Sequence, residues 1–261
     1  MDILVRRQDQ ASTQPAEPMS EAERNIRVDL AACYRLIAHF GMNELTYNHI
    51  SARIPGEAEE FLINPFGLMF DEVCASNLVK INARGEVLND PVGLGINEAG
   101  FVIHGAVHEA RPEAACVIHT HTPAGMAVAA QADGLLPLSQ TAMLFHGRIG
   151  YHDYEGIAID MDERRRLAEN LGSHPAMILR NHGLLAVGRS VADAFNTIFF
   201  LERACQAQVH AMAGGPKLHF PAEEAARKTA KIAGEHGFQA AERDWAALLR
   251  LAERLDPSFR E

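Results

Sequence analysis

His119-Thr120-His121 follows the apolar run Ala115-Cys116-Val117-Ile118 and leads into Thr122-Pro123. Two residues apart on a strand, both imidazoles point to the same face, about 6.5–7 Å apart along the backbone. Both rings can then reach one divalent ion at a nitrogen–metal distance of about 2.0–2.1 Å. A third histidine, His182, follows another short apolar run, Ile178-Leu179, in the turn Arg180-Asn181-His182-Gly183. Three neutral imidazoles leave a coordination position for substrate, which is the catalytic kind of metal site. In a chain with 13 histidines an HxH pair also arises from ordinary packing, so it is the third histidine that favours a metal. Zinc suits three imidazoles best, although manganese, iron, cobalt and nickel accept them too.

Other residues could move a proton or hold a substrate beside such an ion. His104 and His108 lie four apart on an expected helix and share a face. A histidine near its ordinary pKa of about 6.5 shuttles protons at neutral pH. Against that, His104 also suits a buried structural role behind the ligands. His108, followed by Glu109 and Arg111, is expected at the surface or at an interface. Glu98 is the carboxylate nearest the inferred site and the second candidate acid/base. Arg53 could bind a carboxylate bidentately, or end its strand in a salt bridge. Asn64 and Gly67, in the turn Asn64-Pro65-Phe66-Gly67, are candidate substrate contacts. His146, Tyr151, His152 and Asp153 make a polar cluster in a segment expected to be a loop.

The elements that must position these residues follow from pattern and punctuation. Residues 1–20 are rich in Gln, Pro, Ser and Ala and are expected to be a disordered tail. Ser20 with Glu23 forms a capping-box signature, and Ile26, Leu30, Cys33, Tyr34 and Ile37 continue with helical spacing up to Gly41. Short strands are expected over 50–54, 61–64, 78–82, 86–88, 116–120, 176–180 and 184–187. Helical segments are expected over 71–77, 100–109, 123–131, 161–171 and 191–212, with two more helices in the last 45 residues. Strands cluster in the middle and helices flank them. The fold class is therefore α/β, a three-layer αβα domain with a mixed, largely antiparallel central sheet. A main domain over 21–215 is followed by a C-terminal helical extension over 216–261.

Composition sets the environment. A net charge of −10 argues against nucleic acid and anionic membranes as partners. No apolar run approaches the ~18 residues of a membrane span, and Ile3-Leu4-Val5 is too short for a secretory signal. Cys33, Cys74, Cys116 and Cys205 lack CxxC spacing, so reduced cysteines in a cytoplasmic protein are expected.

Five motifs in order carry a resemblance: Asn48-His49-Ile50-Ser51-Ala52-Arg53, Asn64-Pro65-Phe66-Gly67, Ala99-Gly100-Phe101 with His104, His119-Thr120-His121-Thr122-Pro123, and Asn181-His182-Gly183. Together, across about residues 25–215, the chain resembles the class II aldolase/adducin family, in its adducin-like bacterial branch. The resemblance implies an αβα fold, a homotetramer with sites at subunit interfaces, and a divalent ion, commonly zinc, held by His119, His121 and His182. It also implies a small-molecule substrate and lyase chemistry: retro-aldol cleavage or decarboxylation through a metal-stabilised enediolate. A metal-dependent dehydratase or epimerase, or a non-catalytic adducin-like binding domain, are the alternatives. Three departures narrow the substrate. The Glu that serves as acid/base in the sugar-phosphate aldolases falls on Gly100. The two serines that help bind phosphate there fall on Glu98 and Ala99, and the Gly-Asn of an early phosphate turn is Asn48-His49. A carboxylate beside a phosphate repels it, so a non-phosphorylated carbonyl or hydroxy-acid compound is expected.

Overall fold

In the computed structural model, which describes residues 19–56, 59–156 and 161–261, the first helix, α1 (Glu21–His39), starts where Ser20 accepts a hydrogen bond from the Glu23 backbone. The expected return bond of the capping box is not made. The Glu23 carboxylate is buried and reaches Arg27 at 2.8 Å and Lys80 at 3.3 Å instead. The expected tail lies outside the described residues except for Met19 and Ser20.

Eight strands form one sheet: β1 (His49–Arg53), β2 (Glu60–Ile63), β3 (Val79–Asn82), β4 (Val87–Asn89), β5 (Cys116–Thr120), β6 (Ile149–His152), β7 (Ala176–Leu179) and β8 (Gly183–Gly188). Their spatial order is β4-β3-β2-β1-β5-β8-β7-β6. Every neighbouring pair is antiparallel except β6 with β7. The sheet is therefore mixed and largely antiparallel, with helices on both faces.

Period-two alternation sorts the strands between two cores. Ile50, Ala52, Cys116, Ile118, Ile178, Leu184 and Ala186 face α1, α3 (Pro123–Ala129), α6 (Val191–Met212) and α7 (Glu223–Leu255). Val117, Met177, Leu179, Leu185 and Val187 face α2 (Glu98–Ala110) and α5 (Met161–Leu171) on the other side. The same alternation turns His49 and Ser51 toward α2. In the β1–β5 register His49 stands directly opposite His119.

Several boundaries differ from the pattern reading. The helix expected over 71–77 is only a 3-10 turn, Phe70–Glu72. The segment expected as a loop contains the edge strand β6, and a short helix, α4 (Gln140–Met143), precedes it. Instead of two C-terminal helices there is one, α7, followed by a 3-10 turn over Pro257–Arg260. No proline interrupts the chain between Pro221 and Pro257, and Ala226, Ala230, Ala241, Trp245 and Ala252 keep one buried stripe throughout.

Candidate metal centre

His119 and His121 stand at the C-terminal end of β5, and His182 comes from the three-residue turn between β7 and β8. That turn needs a left-handed residue, which Asn181 supplies at φ 57°. Gly183 then lets β8 approach β5 closely: a Cβ there would lie 2.4 Å from the Thr120 carbonyl oxygen and 3.1 Å from the His121 ring. Hence the Asn-His-Gly order. Asn turns the chain, His faces the site, and Gly lets the turn close on the other two imidazoles.

The three Nε2 atoms converge, with His119 to His121 at 2.7 Å, His121 to His182 at 3.0 Å and His119 to His182 at 3.2 Å. His119 Nδ1–H donates to the Leu184 carbonyl at 2.9 Å, and His121 Nδ1–H to the Glu44 carboxylate at 2.8 Å. Both acceptors lack a proton to give, so the Nε2 atoms of His119 and His121 carry bare lone pairs that face each other. Burial, reinforced by the neighbouring imidazoles, holds His119 well below the usual imidazole pKa. Burial and His121 lower His182 to about 4. A single proton relieves one pair at a time, whereas one divalent ion satisfies all three nitrogens together. Nitrogens about 2.0–2.1 Å from a tetrahedral ion stand ~3.3 Å apart, a few tenths of an ångström wider than here. The donor set fits a divalent ion.

Glu44 lies in the loop before β1, where its backbone N–H donates to Asn48 Oδ1. Nothing in the sequence marks it, because the contact joins residues 77 positions apart.

Behind the triad, His49, Ser51, His104 and His108 form a buried hydrogen-bonded chain. His49 Nδ1 meets His104 Nε2 at 2.8 Å, and His104 Nδ1 meets Ser51 Oγ at 2.7 Å. Ser51 Oγ meets His108 Nε2 at 2.8 Å, and His108 Nδ1 reaches the Ala114 carbonyl at 3.1 Å. His108 is thus interior, contrary to its expected place at the surface or an interface: sharing a helix face with His104 turns it to β1, despite its charged neighbours. In the sequence His49 stands out only through its motif and the altered phosphate turn, yet its ring lies 5.2 Å from that of His119. Its spacing from Ser51 on one strand, matched by His104 and His108 on one helix, is the signal that pairs the two faces.

Among the described residues the remaining candidates do not join the triad's donor cluster, although His152 and Asp153 line a cavity with His182. Glu98 is exposed in the first turn of α2 and takes no part in the imidazole chain. Arg53, at the far end of β1 from His49, donates to the His108 carbonyl at 2.8 Å and lies 4.7 Å over the Phe61 ring. Asn64 faces α1, accepting from the Tyr34 hydroxyl at 2.9 Å. Gly67 is an exposed turn residue at φ 107°. Of the polar cluster, His152 is buried against Glu163 at 3.4 Å, while His146 pairs with Glu223 at 3.0 Å. The Tyr154 ring stands 6.2 Å from that of His182.

A family model described as the Class II Aldolase and Adducin N-terminal domain matches residues 28–209. The chain belongs to this family. A Pseudomonas aeruginosa protein carrying an aldolase class 2 name is 49% identical over 250 residues, 93% of this chain and 95% of that protein. Rat alpha-adducin is 45% identical over 249 residues, but these span 90% of this chain and only 34% of adducin. Among solved structures, an aldolase II superfamily protein from Pseudomonas syringae is 50% identical with a TM-score of 0.89, covering 93% of this chain and 98% of that one. An L-fuculose 1-phosphate aldolase from Glaciozyma antarctica is 28% identical with a TM-score of 0.82, covering 94% and 97%. The expected family and αβα fold are thereby established. Among the described residues no helix is long and apolar enough to cross a membrane.

Proposed function

We propose that the chain is a metal-dependent carbon–carbon lyase, acting on a small, non-phosphorylated carbonyl or hydroxy-acid compound by retro-aldol cleavage or decarboxylation. The observation that carries this reading is the convergence of three Nε2 atoms, two of them with their tautomers fixed by Leu184 and Glu44. A divalent ion held there, zinc by preference, supplies Lewis-acid stabilisation of the negative charge that builds on a substrate oxygen as the bond breaks. The chain's own residues hold the rings in place. The Leu184 carbonyl anchors His119 to β8, Glu44 aims His121 from the loop before β1, and the Asn181 turn sets His182. His49 lines the α2 side of the centre. The carboxylate of Glu98 in place of a phosphate-binding serine supports a substrate without a phosphate. By family resemblance the enzyme is a homotetramer, and its scattered cysteines without CxxC spacing favour a cytoplasmic setting.

A second reading, a non-catalytic adducin-like binding domain, is favoured by the identity to alpha-adducin and by the glycine at position 100. Metal content separates the two. Elemental analysis of wild type and His119→Ala, both purified without added metal, is expected to find about one divalent ion per subunit in wild type and little in the variant. A metal-free wild type that cannot be reloaded would favour the binding domain.

A further inference from the structure

The imidazole chain behind the triad has a direction, and that direction reaches the site. A carbonyl oxygen only accepts, so the contact with Ala114 places a proton on His108 Nδ1. Neutral His108 then accepts at Nε2, and the proton on Ser51 Oγ goes to it. With its single proton spent, Ser51 must accept from His104 Nδ1–H. His104 Nε2 therefore accepts from His49 Nδ1–H, and neutral His49 is left with a bare Nε2. Reversing the chain would require a doubly protonated His108. Burial and the neighbouring Arg53 guanidinium lower its pKa to about 3, so that form is negligible at neutral pH.

The His49 side chain is buried, and its ring is oriented by α2. His104 is one turn deeper along α2 than Gly100, and the Nδ1 side of the His49 ring points to it. The opposite edge, Cδ2–Nε2, lies against Gly100 in the first turn of α2, where a Cβ would stand 2.3 Å from Cδ2 and 2.5 Å from Nε2. Any larger residue at 100 would displace the ring, so Gly100 is the space that His49 fills. Among the described residues Nε2 has no hydrogen-bond partner.

We propose that His49 Nε2 is a substrate-selecting acceptor, taking a hydrogen bond from a free substrate hydroxyl, so that the site selects hydroxy compounds over their deoxy analogues. This rests on the metal-centre reading above and specifies its substrate class. Ser51, His104 and His108 are positioning residues that keep the lone pair unprotonated and aimed.

Two measurements on the zinc-loaded full-length protein test this. Long-range proton–nitrogen correlation spectra of histidine-labelled protein at neutral pH should show Nδ1–H tautomers at His49, His104 and His108. Binding of glycolate and of acetate, which differ only in the hydroxyl, should favour glycolate. That margin should fall about tenfold in His49→Phe, the worth of one hydrogen bond. Ser51→Ala leaves the His49 ring in place but frees its tautomer, and should reduce the margin as well. An Nε2–H tautomer at His49, or a margin unchanged in both variants at equal zinc content, overturns the proposal. A wild type that takes up no zinc overturns the metal-centre reading, and the hydroxyl contact with it; the tautomer spectra show separately whether the imidazole chain stands.

Discussion

Glu44 stands one step back from the three converging nitrogens, and its effect runs through the His121 ring. Accepting the Nδ1 proton at 2.8 Å fixes the tautomer and raises the basicity of Nε2. Such outer partners typically contribute about 10–100-fold in metal affinity. Glu44→Gln keeps the shape but removes the charge, and is expected to weaken zinc binding by about that factor in competition with a chelator. An unchanged affinity would show that the contact does not matter for the metal. The contrast with the ligands explains what the sequence made readable. His119, His121 and His182 stand out because few side chains bind a divalent ion and because two of them share a strand face. An orienting acceptor can be any carboxylate or carbonyl, at any separation, so neither Glu44 nor Leu184 leaves a trace. His108 was misplaced for a related reason. Its flanking charges suggested solvent, and only the facing strand shows that its own side turns inward.

Strands and turns set the accuracy with which these side chains meet. The β1–β5 register puts His49 opposite His119, and the β5–β8 register puts His119 opposite Leu185. A one-residue slip in either would send an imidazole through to the α1 face. The tightest point is Gly183, where an added Cβ would meet the Thr120 backbone oxygen at 2.4 Å. Backbone atoms cannot swing aside as a flexible side chain can, so Gly183→Ala must push β8 from β5. The expected cost is about 2–3 kcal/mol, seen as a midpoint lowered by roughly 5–10 °C together with weaker metal retention. A variant with wild-type melting and full metal content would show that the turn relaxes freely. The alternating runs that made β1, β5 and β8 readable carry this precision. The short edge strand β6 was missed because Ile149–His152 is bounded by loops on both sides and pairs in parallel with β7, far from it in sequence.

The triad lies at one end of the sheet, while the molecule's stability lies elsewhere. One apolar core joins α1, α3, α6 and α7 to one face, a second joins α2 and α5 to the other, and a third gathers Phe61, Ile63, Val79, Ile81 and Phe101; all three hold together through apolar contacts rather than through the triad. The long helix α7 adds Trp245, whose ring lies 5.7 Å from that of Phe195 and whose indole N–H donates to Asp29 at 3.1 Å. A folded protein without its ion is therefore expected, unlike small zinc domains whose core is the metal itself. Binding adds stability by mass action, about 4 kcal/mol when free ion exceeds Kd a thousandfold, or roughly 10 °C in midpoint for a domain of this size. Treating the loaded protein with a chelator should lower the melting midpoint by that order and leave the far-ultraviolet circular dichroism unchanged. Restoring zinc should recover the midpoint. Unfolding on chelation would mean that repulsion between the facing lone pairs of His119 and His121 outweighs the apolar cores, and that the ion is a structural part of the fold.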